Sequence, residues 1–366
     1  MYRNTAETPQ VDDATKVGVS VETSSDFIDR RISVAPMMDW TDRHCRYFLR
    51  GFSPTVLLYT EMITAAAILR GDRQRLLAFD PEEQPVALQL GGNEPAQLAA
   101  AAAAGEEAGY CEINLNCGCP SDRVASGAFG ACLMREPQLV AACVAAMRAR
   151  VGVPVTVKMR IGVVERAQRE SALSIADFDE GEFAALHEFV AAIAAAGCAC
   201  AIVHARKAVL GGLSPKENRA IPPLRYDIVR ELKSAFPTLP IIVNGGFRDT
   251  REVIDALGWS DGVMLGREAY HRPFVLAELY RALHPQATQH TVSHDALIER
   301  MASYAERELA QGTRLPAITR HMLGLYGGEP GAREYRRLLS HAARQPGSDA
   351  QLIRDAGRRG APARCA

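Results

Sequence analysis

A cysteine lies between a glycine and a proline, Gly118-Cys119-Pro120, just after the apolar run Tyr110 to Ile113 and the segment Asn114-Leu115-Asn116-Cys117. Glycine permits backbone angles other residues avoid. Proline fixes its own φ and restricts the residue before it. Cys119 is therefore expected on a stiff turn at a strand end. A thiol presented there acts as a nucleophile or a proton donor, or merely fills space as a small buried hydrophobe. The local sequence leaves these readings open, so the neighbours of Cys119 decide. Other apolar runs end in Pro36-Met37-Met38, Glu61, Gln89, Asn116, Lys158 with Arg160, His204 with Arg206, Asn244-Gly245-Gly246 and Gly266-Arg267. Polar groups at nearly every run end are hard to explain as packing. A lysine inside an apolar run needs a partner, so Lys158 points to a ligand carbonyl or anion. Glu61 either holds amides or pairs with a cation, and His204 by itself is ambiguous.

The runs that carry these residues are Arg31–Met37, Val56–Met62, Pro85–Gly91, Cys111–Cys117, Pro154–Ile161, Ala199–Ala205, Pro240–Gly246 and Asp261–Arg267. Helical patterns separate them: Asp42–Gly51, Ala65–Phe79, Glu94–Gly109, Pro137–Arg150, Glu182–Gly197, Pro223–Ala235 and Thr250–Gly258, with Pro273–Leu283 after the last. Eight apolar strands, each followed by a helix, predict an α/β fold of the (β/α)8 TIM-barrel type, with strands buried on both faces. A doubly wound sheet would want a Gly-x-Gly-x-x-Gly turn after its first strand, and Met37-Met38-Asp39-Trp40 is not one. In a barrel the run ends named above gather at one mouth. The glycines and Arg267 after strands seven and eight then stand where such folds hold phosphate.

Beyond His284 the strand pattern stops. Ser293–Gln311, Ala317–Leu325 and Arg333–Ala343 predict amphipathic helices of a small all-helical C-terminal domain. The expected organisation is a disordered leader over 1–25, the barrel over 26–285, the helical domain over 286–350 and a tail over 351–366. A polar insertion, Val163 to Gly181, follows the fifth strand and is either a lid or a tolerated loop.

Net charge is -1 across 366 residues, so overall balance announces no nucleic-acid partner. The charge is uneven, however. From Asp295 to the end stand 12 Arg, no Lys and 8 acidic residues, either a phosphate-meeting surface or an ordinary solvated one. Nine cysteines with no Cys-x-x-Cys pair and no secretory signal argue for reduced thiols in a cytoplasmic protein. No metal-ligand spacing, nucleophile elbow or membrane-spanning run is evident, and a monomer is expected. A phosphate site, a lysine and a glutamine facing a flat ring, and a nearby acidic thiol fit an enzyme using flavin mononucleotide (FMN).

Five motifs in order carry a resemblance: Ala35-Pro36-Met37-Met38-Asp39-Trp40-Thr41-Asp42, Leu115-Asn116-x-Gly118-Cys119-Pro120-Ser121, Val157-Lys158-x-Arg160-Ile161-Gly162, His204-Ala205-Arg206-Lys207 and Asn244-Gly245-Gly246. They resemble the tRNA-dihydrouridine synthases. Gly212 to Arg219, Ile221-Pro222-Pro223-Leu224 and Thr319 to Leu325 are similar to the A-type subfamily. The resemblance implies FMN on the barrel, NADPH as reductant, and reduction of the 5,6 double bond of uridine at positions 20 and 20a of the tRNA D-loop. It implies Cys119 as proton donor to carbon 5, with hydride arriving at carbon 6. Pro36, Met37, Met38, Gln89, Lys158, His204, Asn244, Gly245, Gly246, Gly266 and Arg267 would hold FMN. Asn116 and Arg206 would contact the target nucleotide; Lys216, Asn218, Arg219, Thr319 and Arg320 are weaker tRNA candidates. The alternatives are an FMN barrel acting on a free pyrimidine or enone, and a tRNA-binding relative without catalysis.

Overall fold

The computed structural model describes residues 28–121, 127–165, 173–211, 213–287 and 291–360. The leader over 1–25 lies outside these residues, as do Gly212 and part of the insertion after the fifth strand. Among the described residues, eight parallel strands close into a barrel: β1 Ile32–Val34, β2 Leu57–Tyr59, β3 Val86–Gly91, β4 Glu112–Cys117, β5 Val155–Arg160, β6 Ala201–His204, β7 Ile241–Asn244 and β8 Gly262–Leu265. The ring closes where β1 pairs with β8 and β2 pairs with β3. Each expected run contains one of these strands.

Alternation explains the two layers. On β4, Ile113, Leu115 and Cys117 face the helices and join the large outer core. Strand register then turns Glu112, Asn114 and Asn116 towards the barrel axis, beside Thr156 and Lys158 of β5. This corrects the expectation of strands apolar on both faces, because the inward faces of β4 and β5 are polar throughout. The apolar inner cluster comes mainly from the other strands and includes Leu57, Tyr59, Ala87, Ile202, Ile242 and Met264.

The helices begin where their caps place them. Asp42 accepts from the amide of Cys45 at the start of helix Arg43–Arg50. Asp179 and Glu182 form a reciprocal capping box at Glu180–Ala195. Pro95 and Pro137 open their helices, where a missing N–H costs nothing.

Among the described residues, four α-helices follow the barrel: His294–Ala310, Leu315–Thr319, Ala332–His341 and Gln351–Gly360. Two expectations change here. The helix expected over Ala317–Leu325 opens at Leu315 and stops at Thr319; beyond it Gly324 runs against the backbone of His271, where a Cβ would sit 2.6 Å from its carbonyl oxygen. Gln351–Gly360, expected as tail, is a helix packed into the domain. Its glycines permit close approach: a Cβ on Gly357 would lie 2.9 Å from Ile298 and one on Gly360 2.7 Å from Tyr326.

Candidate active site

The turn after β4 is clamped from two sides. Asn116 Oδ1 accepts from the amides of Gly118 and Cys119 at 3.1 and 3.0 Å. From behind, Arg160 Nε donates to the Gly118 carbonyl at 3.0 Å. The Cys119 carbonyl accepts from the Ala131 amide at 2.9 Å. Gly118 does not use the left-handed φ that glycine permits. A Cβ there would sit 3.3 Å from the Met159 carbonyl carbon, so close approach to β5 is what demands glycine. The Cys119 thiol is half-buried, 3.6 Å from Ser121 Oγ. Cys117, two residues earlier, is fully buried, and burial pushes its thiol well above the usual range.

Cations surround this thiol. Lys158, Arg160 and Arg219 all lie within electrostatic reach of Cys119. Burial, then the neighbouring Arg160, lowers Lys158 to about 7. Its amine donates to Asn244 Oδ1 at 3.1 Å, and Asn244 is itself oriented by donating to the Met264 carbonyl at 2.7 Å. Burial, Arg160 and Lys158 hold His204 well below its ordinary value, so its ring is neutral. Arg206 reaches the Pro222 carbonyl across the mouth. Among the described residues, no carboxylate forms an ion pair with Lys158, Arg160, Arg206, Arg219 or Arg267.

Gly245 and Gly246 line the β7 end with φ of 117° and 83°, in the left-handed region. A Cβ on Gly245 would sit 2.6 Å from His204, and one on Gly246 2.4 Å from Leu224. The space above Gly266 is open, with no atom within 4 Å of a Cβ position. After β1, the Met37 amide donates to Thr41 Oγ1 at 2.9 Å and Met38 stands 58% exposed. Glu61 accepts from the amide of Asp39, which settles its role as a backbone holder for this loop. Gln89 is almost fully buried, its amide spanning Asn114 and Asn116 at 2.8 and 2.9 Å. An anion-deficient mouth, backbone that only glycine can form and a lysine poised to discharge fit a phosphate-bearing, carbonyl-rich group such as a flavin nucleotide.

Two candidates for tRNA contact are corrected. Asn218 is fully buried and spends its amide on the backbone of Val209 and Leu213. Thr319 is fully buried and donates to the Leu339 carbonyl. Both pin loops and present nothing to a polynucleotide. Lys216 and Arg219 stay at the surface near the mouth, whereas Arg320, 45% exposed, pairs with Asp42 in the helical domain's seam. Within the insertion, Val163–Glu165 pairs in parallel with Ala208–Leu210 beside the mouth.

Sequence reasoning noted Arg160 but gave it no task. It holds three carbonyls, of Gly118, Lys207 and Asn218, and so ties the turns after β4 and β6 together. It missed Glu112, Asn114 and Thr156 altogether. The signal was present as Glu-x-Asn-x-Asn and Thr-x-Lys-x-Arg, polar residues at period two inside apolar runs.

Fold and site together define a (β/α)8 barrel whose mouth gathers cations around a thiol. Residues 33–358 match the family described as dihydrouridine synthase (Dus), and the chain belongs to that family, whose members are flavin-dependent oxidoreductases. It is 52% identical over 326 residues, 89% of this chain and 92% of the relative, to a tRNA-dihydrouridine(20/20a) synthase of Xanthomonas axonopodis pv. citri. Relatives of the same name in Synechocystis and Vibrio cholerae are each 52% identical, over 89% of this chain and 93% and 95% of their own lengths. Among the described residues, no helix is long and apolar enough to cross a membrane, and no group of three His, Cys, Asp or Glu is placed to hold a metal ion.

Proposed function

We propose that this chain is a tRNA-dihydrouridine synthase acting on uridines 20 and 20a of the tRNA D-loop, with FMN at the barrel mouth and NADPH as reductant, in the cytoplasm where its substrate resides. The observation that carries this reading is the half-buried Cys119, whose backbone amide Asn116 holds, among cations that lack a carboxylate partner. Reduced flavin, when bound, would supply hydride to carbon 6 of the uracil ring. Cys119 gives its thiol proton to carbon 5 from the other side, saturating the double bond. Asn116 Nδ2 and Arg206 read the edge of a uracil taken out of the tRNA stack.

Lys158, His204 and Asn244, with Gln89 behind them, would hold the flavin ring. Gly245, Gly246, Gly266 and Arg267 would receive its phosphate, and Pro36, Met37 and Met38 would bound it at the β1 end. Neutral His204 leaves Lys158 and Arg267 as the cations for this purpose. Lys216 and Arg219 extend the positive rim towards tRNA phosphates.

Cys119→Ala tests the reading. Flavin stays bound while dihydrouridine formation on unmodified tRNA falls by a factor on the order of 10² to 10⁴. Turnover near that of the native enzyme would move the proton donor elsewhere. Reduction of free uridine as fast as tRNA would instead favour a free-pyrimidine reductase.

A further inference from the structure

We propose that Glu112, at the closed end of the barrel, is a positioning residue for the Cys119 turn: its carboxylate sets the direction of a chain of side-chain hydrogen bonds that ends on the Cys119 amide. The inference rests on the reading of Cys119 as proton donor. Glu112 is fully buried, and both oxygens are occupied. Arg30 donates to Oε2 at 2.6 and 3.1 Å, while Tyr59 and Thr156 donate to Oε1 at 2.5 and 2.7 Å. A carboxylate only accepts, so Thr156 must spend its single hydrogen on it. Towards Asn114 the hydroxyl can then only accept, and it does so from Nδ2 at 2.9 Å. That turns Asn114 Oδ1 to Gln89, which donates Nε2 at 2.8 Å. Gln89 Oε1 in turn accepts from Asn116 Nδ2 at 2.9 Å. Asn116 is left with Oδ1 facing the amides of Gly118 and Cys119.

Each carboxamide could be rotated by half a turn at almost no cost in shape. Electrostatically it cannot: one reversal sets donor against donor, and the conflict passes along the chain. The end effect would be an NH₂ group facing two backbone N–H groups, releasing the turn that carries the thiol. Glu112 and Asn116 are four residues apart on one strand, so the direction is carried over about 13 Å. Buried polar chains of this kind are fully satisfied or costly, which makes a single missing link consequential.

Glu112→Gln can reverse the chain but also strands Arg30, so Thr156→Val is the cleaner cut. It removes one link and leaves Glu112 paired with Arg30 and Tyr59. Expected in Thr156→Val is a tenfold or greater loss in the rate at which pre-reduced enzyme converts tRNA, with KM for tRNA within twofold of native. Flavin reduction by NADPH, which does not use Cys119, is unchanged, and Thr156→Ser restores the rate. Iodoacetamide labelling of Cys119, read by mass spectrometry on enzyme without tRNA, reports on the turn independently of turnover. A labelling rate changed at least threefold in Thr156→Val and restored in Thr156→Ser supports the relay even if Cys119→Ala shows the thiol to be dispensable. A native tRNA rate and native labelling in Thr156→Val overturn it, as does a Thr156→Ser variant no better than Thr156→Val, or an equal slowing of both half-reactions.

Discussion

Arginine meets carboxylate all along the seam where the C-terminal helices dock on helix Arg43–Arg50. Arg43 pairs with Glu308, Arg300 with Glu82, Arg307 with Asp80 and Arg320 with Asp42. His44 Nδ1 and the Tyr304 hydroxyl meet at 2.7 Å between them. At the barrel mouth the cations Lys158, Arg160, Arg206, Arg219 and Arg267 form no ion pair with any described carboxylate. The difference separates two uses of the same charge. Paired charges at the seam tie the C-terminal helices to the barrel. A half-buried cation without a counterion costs free energy, and an anionic ligand offsets that cost on binding. Half of the 12 Arg after Asp295, namely Arg300, Arg307, Arg320, Arg337, Arg354 and Arg358, have carboxylate partners, so only part of that Arg excess is available to meet phosphate.

The sharpest way to break this comparison is Lys158. Lys158→Met is expected to lower flavin affinity and tRNA turnover by roughly a hundredfold or more, because a desolvated charge-assisted contact disappears. Native affinity for FMN should also depend on pH. Below about 7 the free site already holds the ammonium. Above that the proton must be taken up on binding, so affinity falls by up to about tenfold per pH unit. Titration of FMN fluorescence between pH 6 and 8.5 checks this, and a flat native profile would remove Lys158 from the flavin site. On the seam side the largest effect belongs to Asp42. Burial alone would raise its pKa, but bonds from His321, the Cys45 amide and Arg320 hold it well below the usual carboxylate range. Asp42→Asn should cost about 3 kcal/mol in denaturant unfolding while leaving FMN affinity intact. Because the folded pKa is depressed, this contribution is present above the ordinary value near 3.8 and is lost as pH falls below it. The variant should accordingly lose less stability than the native protein on acidification.

How far the sequence revealed these two regions depended on the kind of signal. The barrel was legible because each strand lies in a run of largely apolar residues and several helix starts are marked, by caps at Asp42 and Asp249 or by prolines at 95 and 137. The mouth was legible because barrel topology brings strand ends together whatever their spacing in sequence. The helix Gln351–Gly360 was not, since Gly357, Arg358, Arg359 and Gly360 read as tail and only their seat against Ile298 and Tyr326 makes them helical. Asn218 and Thr319 failed for the converse reason. Polar residues in loop-like sequence suggest exposure, and their burial arises from contacts with Val209 and Leu339 that local sequence does not encode. Glu112, Asn114 and Thr156 were visible as an alternation but were masked by the apolar residues between them.

Smaller effects sharpen the boundary between the two arginine populations. Arg206→Ala and Arg219→Ala should each weaken tRNA binding several-fold and lower the slope of log affinity against log salt by about 1, with unfolding free energy within about 0.5 kcal/mol of native. Arg320→Ala should show the opposite signature. Its guanidinium is held by Asp42 and lies beside His321, yet it is nearly half exposed, so solvent screening limits its worth to well under about 1 kcal/mol of stability. Because that charge is already neutralised within the protein, few counterions are released when tRNA arrives, and the salt slope should stay at its native value. Binding isotherms at four salt concentrations decide the matter. A slope reduced by a full unit would mean that Arg320 leaves Asp42 for a phosphate, and the line between seam and mouth would have to be redrawn through the helical domain.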